Sequence, residues 1–314
     1  QGRAMSYAVR YVGDSTGLLP VGIDDQVADL FDRLNRPGAP WIYSLEGMGG
    51  IGKTTLAAAL LTAAERSLYF EEFAWVSAQT QRLDMRGRVD VREQPALTQG
   101  ALVAGLLEQL APQEAEGRLG QPEEALKLLR IVLKRTPHLV VIDNLETVLD
   151  VEALLPVLRS LVNPSKVLLT SRHKLVGESD IYLYNVPELR EEHALALVRQ
   201  AGAQHNVRGL ADAPDAELRP IYAAVGGNPL ALLLVVGQLH LHDLDTLLRD
   251  LQAARGTPIE NLYTFIYRRA WENLDARARR VLLAMGAVKV QGDRLPMIAT
   301  ISNLDAGEVS GTVL

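Results

Sequence analysis

"EGMGGIGKTTLAAAL", residues 46–60, decides how this chain is read. Gly47, Gly49, Gly50 and Gly52 run straight into Lys53, Thr54, Thr55 and an alanine-rich stretch. From Gly47 to Thr54 the spacing G-x-x-x-x-G-K-[ST] is complete. Glycines let backbone N–H groups turn inward and approach phosphate oxygens closely. The backbone of Gly47, Gly49, Gly50, Ile51 and Gly52 is therefore the expected cradle. The helix that follows adds its positive N-terminal end. Lys53 supplies a point charge for the β- and γ-phosphates, and the Thr54 hydroxyl is a hard oxygen ligand for Mg²⁺. The loop grips a phosphate chain, and the open question is whether the nucleotide is hydrolysed for work, gives up its phosphate to an acceptor, or is held to fix a shape.

Both flanks of the loop have the form it requires. "WIYSLEG" (41–47) is short, apolar and β-rich, which predicts a strand entering the loop. A helix is predicted from Gly52 to about Arg66. Upstream, residues 24–36 place Val27, Leu30, Phe31 and Leu34 on one helical face, with Asp24 as N-cap. Downstream, "FAWVSAQ", "HLVVID", "KVLLTSR" and "IYLYNV" predict further strands, with helices over 96–110, 122–135 and 151–162, the last despite Pro156. Residues 79–95 mix both charge signs around Gly87 and predict a solvated hairpin or exposed loop. Strands alternating with helices predict a parallel sheet covered on both faces. Beyond about residue 189 only helical patterns remain, over 190–204, 214–225, 229–241, 243–254, 260–273 and 276–287.

Bulk composition narrows the classes. The 314 residues are 48% hydrophobic and 22% charged, enough for a core and two or three units. The absence of Cys excludes a disulfide framework and a cysteine zinc site, and fits a reducing compartment. A net charge of −6 argues against a global nucleic-acid binder. No apolar run reaches spanning length, so no membrane is expected. The chain opens on "QGRAMSYAVR", without the apolar core of a signal peptide and without an initiating Met, which points to a cytoplasmic location and to a piece of a longer protein.

Three more pieces bear on the phosphate site. "HLVVIDNLE" delivers Asp143 at the end of an apolar strand, where it can hold Mg²⁺; alone, it could equally cap the next helix. "KVLLTSR" ends a strand at the same edge, so the planar fork of Arg172 can reach a γ-phosphate. In "GGNPLAL", Asn228 suits a helix cap and Pro229 a first helical turn, and the rigid proline face could lie against an adenine ring.

In their order, "VGIDDQ" (21–26), "GMGGIGKTTLA" (47–57), "VVIDNLE" (140–146), "LLTSR" (168–172) and "GGNPLAL" (226–232) resemble the STAND class of P-loop ATPases, in particular its NB-ARC (AP-ATPase) branch. The resemblance implies an α/β fold: a P-loop NTPase parallel sheet of ASCE/AAA+-like type, with the "LLTSR" strand between the P-loop strand and the acidic one. An all-α helical bundle and the start of a winged-helix domain would follow. The implied domains are a flanking segment over 1–20, a nucleotide-binding domain over 21–189, an ARC-type bundle over 190–258 and a partial winged helix over 259–314. The implied cofactors are ATP/ADP and Mg²⁺. Val21 and Gly22 would meet adenine, Thr55 the α-phosphate, and Pro229 would pack on the base.

Two positions depart from the family pattern. Ile23 stands where the family often has Arg, and Asn144 follows Asp143 where vigorous P-loop ATPases carry Glu. An amide cannot accept a proton from attacking water, which leaves Glu146 as the alternative base. His240 and His242, at i, i+2 spacing, fall on different helix faces and are not expected to form a ligand pair. The preferred reading is a switch: ADP holds a closed state, ATP exchange permits self-association, and hydrolysis is slow. Effector and sensor domains would flank this chain, and nucleic acid is not an expected partner. The alternatives are an energy-transducing AAA+/origin-loading-like ATPase acting on DNA or protein, with 268–280 as its DNA-facing helix, and a small-molecule kinase using 79–95 as a lid.

Overall fold

In a computed structural model of the chain, the described residues are 18–78, 81–83, 89–91, 97–145, 148–172, 174, 175, 177–239, 246, 247, 249, 277 and 279–281. Five strands, β1 (Ile42–Glu46), β2 (Glu72–Ser77), β5 (His138–Leu145), β6 (Lys166–Ser171) and β7 (Ile181–Asn185), form one sheet in the order β2-β5-β6-β1-β7. Every pairing in it is parallel. The "LLTSR" strand, β6, lies between the loop strand β1 and the acidic strand β5, as the resemblance implies.

Alternate residues of each strand go to opposite faces, and both faces are apolar. On one face, Ile42, Val76, Val140, Ile142, Val167 and Leu169 pack with α3 (Gln99–Leu110), α5 (Pro122–Arg135) and α6 (Val148–Leu161). On the other, Tyr43, Leu45, Trp75, Val141 and Leu168 pack with α1 (Asp24–Leu34) and α2 (Lys53–Ala64). Because the strands are parallel, Glu46, Ser77, Asp143, Ser171 and Asn185 all arrive at one edge: Glu46 pairs with Ser171 and Asn185, Ser77 pairs with Asp143, and the register shifts between Ile142 and Leu145 of β5. That edge is where an open α/β sheet binds ligands.

The opposite edge holds a buried lysine. Lys166, 1% exposed, donates from Nζ to Arg33 O (3.4 Å) in the last turn of α1 and to Arg36 O (2.6 Å) just past its end. The ammonium also lies over the rings of Trp41, Tyr43 and Tyr69 at 5.5–5.8 Å. A cation there complements the negative C-terminal end of the helix.

Local differences from the sequence reading have simple causes. α1 begins at Asp24 rather than being capped by it. Ile23 precedes the helix with no side-chain cap, and Asp24 and Asp25 both sit in the first turn, where negative charge suits the dipole. β5 runs past Asp143 to Leu145 through a register shift. A short helix, α4 (Pro112–Ala115), lies between the helices predicted over 96–110 and 122–135. Within 79–95, β3 (Gln81–Leu83) and β4 (Val89–Val91) pair antiparallel as a hairpin.

The contacts divide the chain into two compact units. The first comprises 1–80, 92–196 and 228–230, and the second 81–91, 197–227 and 231–314. α7 (Glu191–Gln204) and α9 (Pro229–Gln238) contribute to both, and α8 (Asp215–Val225) belongs to the second. In the second unit, Leu218, Ile221 and Val225 form the buried stripe of α8. Arg199 donates to Ala213 O (3.0 Å) and pairs with Asp215. Residues 246, 247, 249, 277 and 279–281 are helical. The remainder of the helices predicted beyond residue 242, and with them the winged helix, lies outside the described residues, as do His240 and His242.

Candidate functional site

Strand β1 releases the chain at Gly47, and α2 takes it up again at Lys53. Between them the backbone repeatedly enters the left-handed region, at Gly47 (φ 148°), Gly50 (φ 74°) and Gly52 (φ 99°). Gly50 is needed for a second reason: a Cβ there would stand 2.4 Å from the Cβ of Leu230. Gly52 starts the helix by accepting from Leu56 N at 2.8 Å. Lys53 Nζ donates to Gly47 O (2.7 Å) and Met48 O (2.8 Å), so its charge lies along the loop.

Asp143 comes in from β5. One oxygen, Oδ1, accepts from Thr54 Oγ1 (2.9 Å) and from Thr170 Oγ1 (2.6 Å). Thr170 in turn accepts from Asn144 N at 2.7 Å. Asn144 sits at φ 64°, within the register shift of β5. A bulge of this kind re-aims the neighbouring side chain, and Asn is among the few residues that tolerate the conformation. Burial pushes the Asp143 carboxyl above its ordinary range, while hydrogen bonds from Thr170, Thr54 and the Asn144 N–H, and then the Lys53 charge, pull it back.

Arg172 follows β6 and leans on the loop, with its Cζ 3.7 Å from where a Gly49 Cβ would be. From far along the chain, Asn228 Nδ2 donates to Gly49 O (3.2 Å) and Leu230 N to Gly50 O (3.2 Å). Asn228 Oδ1 accepts from Leu230 N at 3.0 Å and so caps α9, as its sequence position predicts. Pro229 is the first residue of that helix and is brought next to the loop. Residues 228–230 belong to the same compact unit as the loop. Val21 and Gly22 precede α1, and Gly22 (φ 68°) packs so closely on His193 that a Cβ would meet its Cγ at 2.4 Å. Thr55 is exposed in the first turn of α2. Glu146 lies outside the described residues.

The geometry thus brings together the loop, Lys53, Thr54, Asp143, Arg172 and Pro229. The NB-ARC domain model matches residues 23–208, more than half of the chain. This chain belongs to the NB-ARC family. It is 27% identical over 228 residues to probable disease resistance RPP8-like protein 2 of Arabidopsis thaliana, covering 70% of the chain and 23% of that protein. It is 32% identical over 162 residues to disease resistance protein RPP8 of the same organism, covering 50% of the chain and 16% of that protein. The chain therefore spans about a quarter or less of these relatives. Among solved structures it is similar to the Signal Transduction ATPase with Numerous Domains (STAND) protein with a tetratricopeptide repeat sensor from Pyrococcus horikoshii. There the TM-score is 0.50 at 16% identity, covering 96% of this chain and 40% of that one, a likeness of fold. The NB-ARC chain is a nucleotide-binding P-loop NTPase, a family that typically binds with Mg²⁺.

Mg²⁺ keeps several waters and takes few protein ligands. The donor set fits that habit, since the Thr54 hydroxyl and the Asp143 carboxylate stand 2.9 Å apart. No cluster of three or more metal-binding side chains occurs among the described residues. Nor is any single described helix long and apolar enough to cross a membrane. Sequence reasoning passed over Thr170, Glu46, His193 and the Asn228–Gly49 contact. "LLTSR" already contains the Thr, but a lone hydroxyl in an apolar strand carries no pattern that reveals its partner.

Proposed function

We propose that this NB-ARC core is a nucleotide-dependent switch: ADP holds a closed state, ATP exchange permits self-association, and hydrolysis is slow. In this reading Lys53 meets the β- and γ-phosphates, and Arg172 reads the terminal one. Thr54 and Asp143 hold Mg²⁺, which screens phosphate charge when bound. The backbone of Gly47, Gly49, Gly50, Ile51 and Gly52 lines the phosphates, and Thr55 meets the α-phosphate. Val21, Gly22 and Pro229 contact the base. The ARC-type bundle spans 190–258, a partial winged helix spans 259–314, and effector and sensor domains flank the chain in the whole protein.

The observation that carries this reading is the gathering of Lys53, Thr54, Asp143 and Arg172 around the loop, with an amide beside the acid. Asn144, at φ 64°, occupies the place after Asp143. It has no basic oxygen to take a proton from water, which supports retention over turnover. A ligand moves a two-state equilibrium only through its differential affinity, and one additional phosphate beside Arg172 supplies such a difference.

The test is to denature the purified chain and identify the nucleotide released. ADP is the expected occupant. Exchange for Mg²⁺–ATP is then expected to raise the sedimenting mass. Rapid multiple-turnover hydrolysis, or the same mass with both nucleotides, overturns the switch.

A further inference from the structure

We propose that Glu46 is a positioning residue for Arg172, tying the turn that carries the guanidinium to the root of the phosphate loop. The inference rests on the reading of Arg172 as the group that senses the terminal phosphate.

Glu46 is the last residue of β1 and the one immediately before Gly47. Strand alternation puts it on the face of Ile42, where α3, α5 and α6 pack, away from α2. It is only 3% exposed. A buried carboxylate is costly unless it receives hydrogen bonds. Its bonds are specific. Oε1 accepts from the backbone N–H of Leu175 at 2.8 Å and lies 3.5 Å from Ser44 Oγ, a residue that is itself fully buried.

Leu175 lies three residues after Arg172, and Ser171 lies one before it. Ser171 is the strand partner of Glu46 in the β1–β6 register. Ser171 and Leu175, on either side of Arg172 in sequence, therefore both meet the same residue, Ser171 through the ladder and Leu175 through the carboxylate. The next residue along from that anchor opens the loop, and two positions later comes Gly49, where a Cβ would stand 3.7 Å from the Arg172 Cζ. A long, exposed arginine loses much rotamer entropy when it is ordered. Holding the chain on both sides of Arg172 orders it in advance, which is how a supporting residue sharpens a site.

The test is a double-mutant cycle on the 314-residue chain. ATP and ADP affinities are measured by calorimetry for the unmodified protein, E46M, E46Q, R172A and E46M/R172A. Met matches Glu in length and apolar fit but offers no oxygen. Gln keeps an acceptor. R172A is expected to lower the ratio of ATP to ADP affinity. E46M is expected to lower that ratio by about five-fold in the unmodified background and to add nothing in R172A. E46Q is expected to stay within about two-fold of the unmodified ratio.

A merely structural Glu46 would weaken both nucleotides alike, or act equally in both backgrounds, and either result overturns the inference. If R172A itself leaves the ratio unchanged, the phosphate-sensing role fails first and this inference fails with it. If R172A moves the ratio and E46M does not, only the inference fails. Should E46M not fold, amide exchange at Leu175 in the unmodified chain decides: slower exchange with ATP than with ADP supports the link, and equal exchange overturns it.

Discussion

Asp143 spends one carboxylate oxygen on two hydroxyls, from Thr54 on α2 and Thr170 on β6. Thr170 has the larger share of this arrangement, because the same hydroxyl accepts from Asn144 N and so holds the bulge open. Replacing Thr170 by Val removes one hydrogen bond from the Asp143 carboxylate and one from the Asn144 N–H. T170V is expected to cost about 2 kcal/mol in urea unfolding, with T170S restoring most of it. It is also expected to weaken the Mg²⁺ dependence of nucleotide affinity more than the Mg²⁺-free affinity, as read by titration with and without EDTA. Asp143 was legible because an apolar run that ends in an acid is a pattern. Thr170 and Glu46 were not, since each is a polar residue at the end of a largely apolar strand, and its meaning depends on partners far away in sequence, at Asp143 and Leu175. The contact of Gly22 with His193 was hidden for the same reason.

At the scale of elements, the strands were readable because both of their faces are buried, which forces continuous apolar runs. Their spatial order is not contained in periodicity; the family resemblance implied only that the "LLTSR" strand lies between the loop strand and the acidic one, and the positions of β2 and β7 came from the structure. The start of α1 was misplaced by one residue because an Asp serves equally as a cap or as a first-turn charge. Lys166 shows what pattern reading omits: a cation on a strand reads as surface, yet it is buried under α1. Burial lowers its pKa to about 8 from an ordinary 10.5. Below pH 8 the lysine is charged in both folded and unfolded chains. Between 8 and 10.5 the unfolded chain binds the proton more tightly, so stability rises with pH. Tyr43, raised to about 12 by burial against the pull of Arg33, acts in the opposite sense, but only above about pH 10. Relative to K166M, the unmodified chain is expected to gain about 1 kcal/mol in urea unfolding between pH 7.5 and 9.5. A flat difference would mean that the ammonium is hydrated rather than buried.

For the molecule as a whole, the net charge of −6 sets what it can meet. Affinity for duplex DNA grows with the number of phosphates neutralised by Lys and Arg, and it falls steeply with salt. The chain is expected to give no mobility shift with a random duplex at about 0.15 M salt. Salt-dependent retardation would instead favour an ATPase that works on DNA. The helical half was legible only as a run of amphipathic periods, because a helical period does not say which helices pack together.

Residues 228–230 lie outside the stretch matched by the family model, which ends at 208, yet Asn228 and Leu230 supply the partners of the Gly49 and Gly50 carbonyls. The unit that holds the loop is thus discontinuous along the polypeptide. A ribosome will have completed the whole sheet well before it releases the stretch that bonds to the loop. A chain cut after residue 208 would lack both of those bonds.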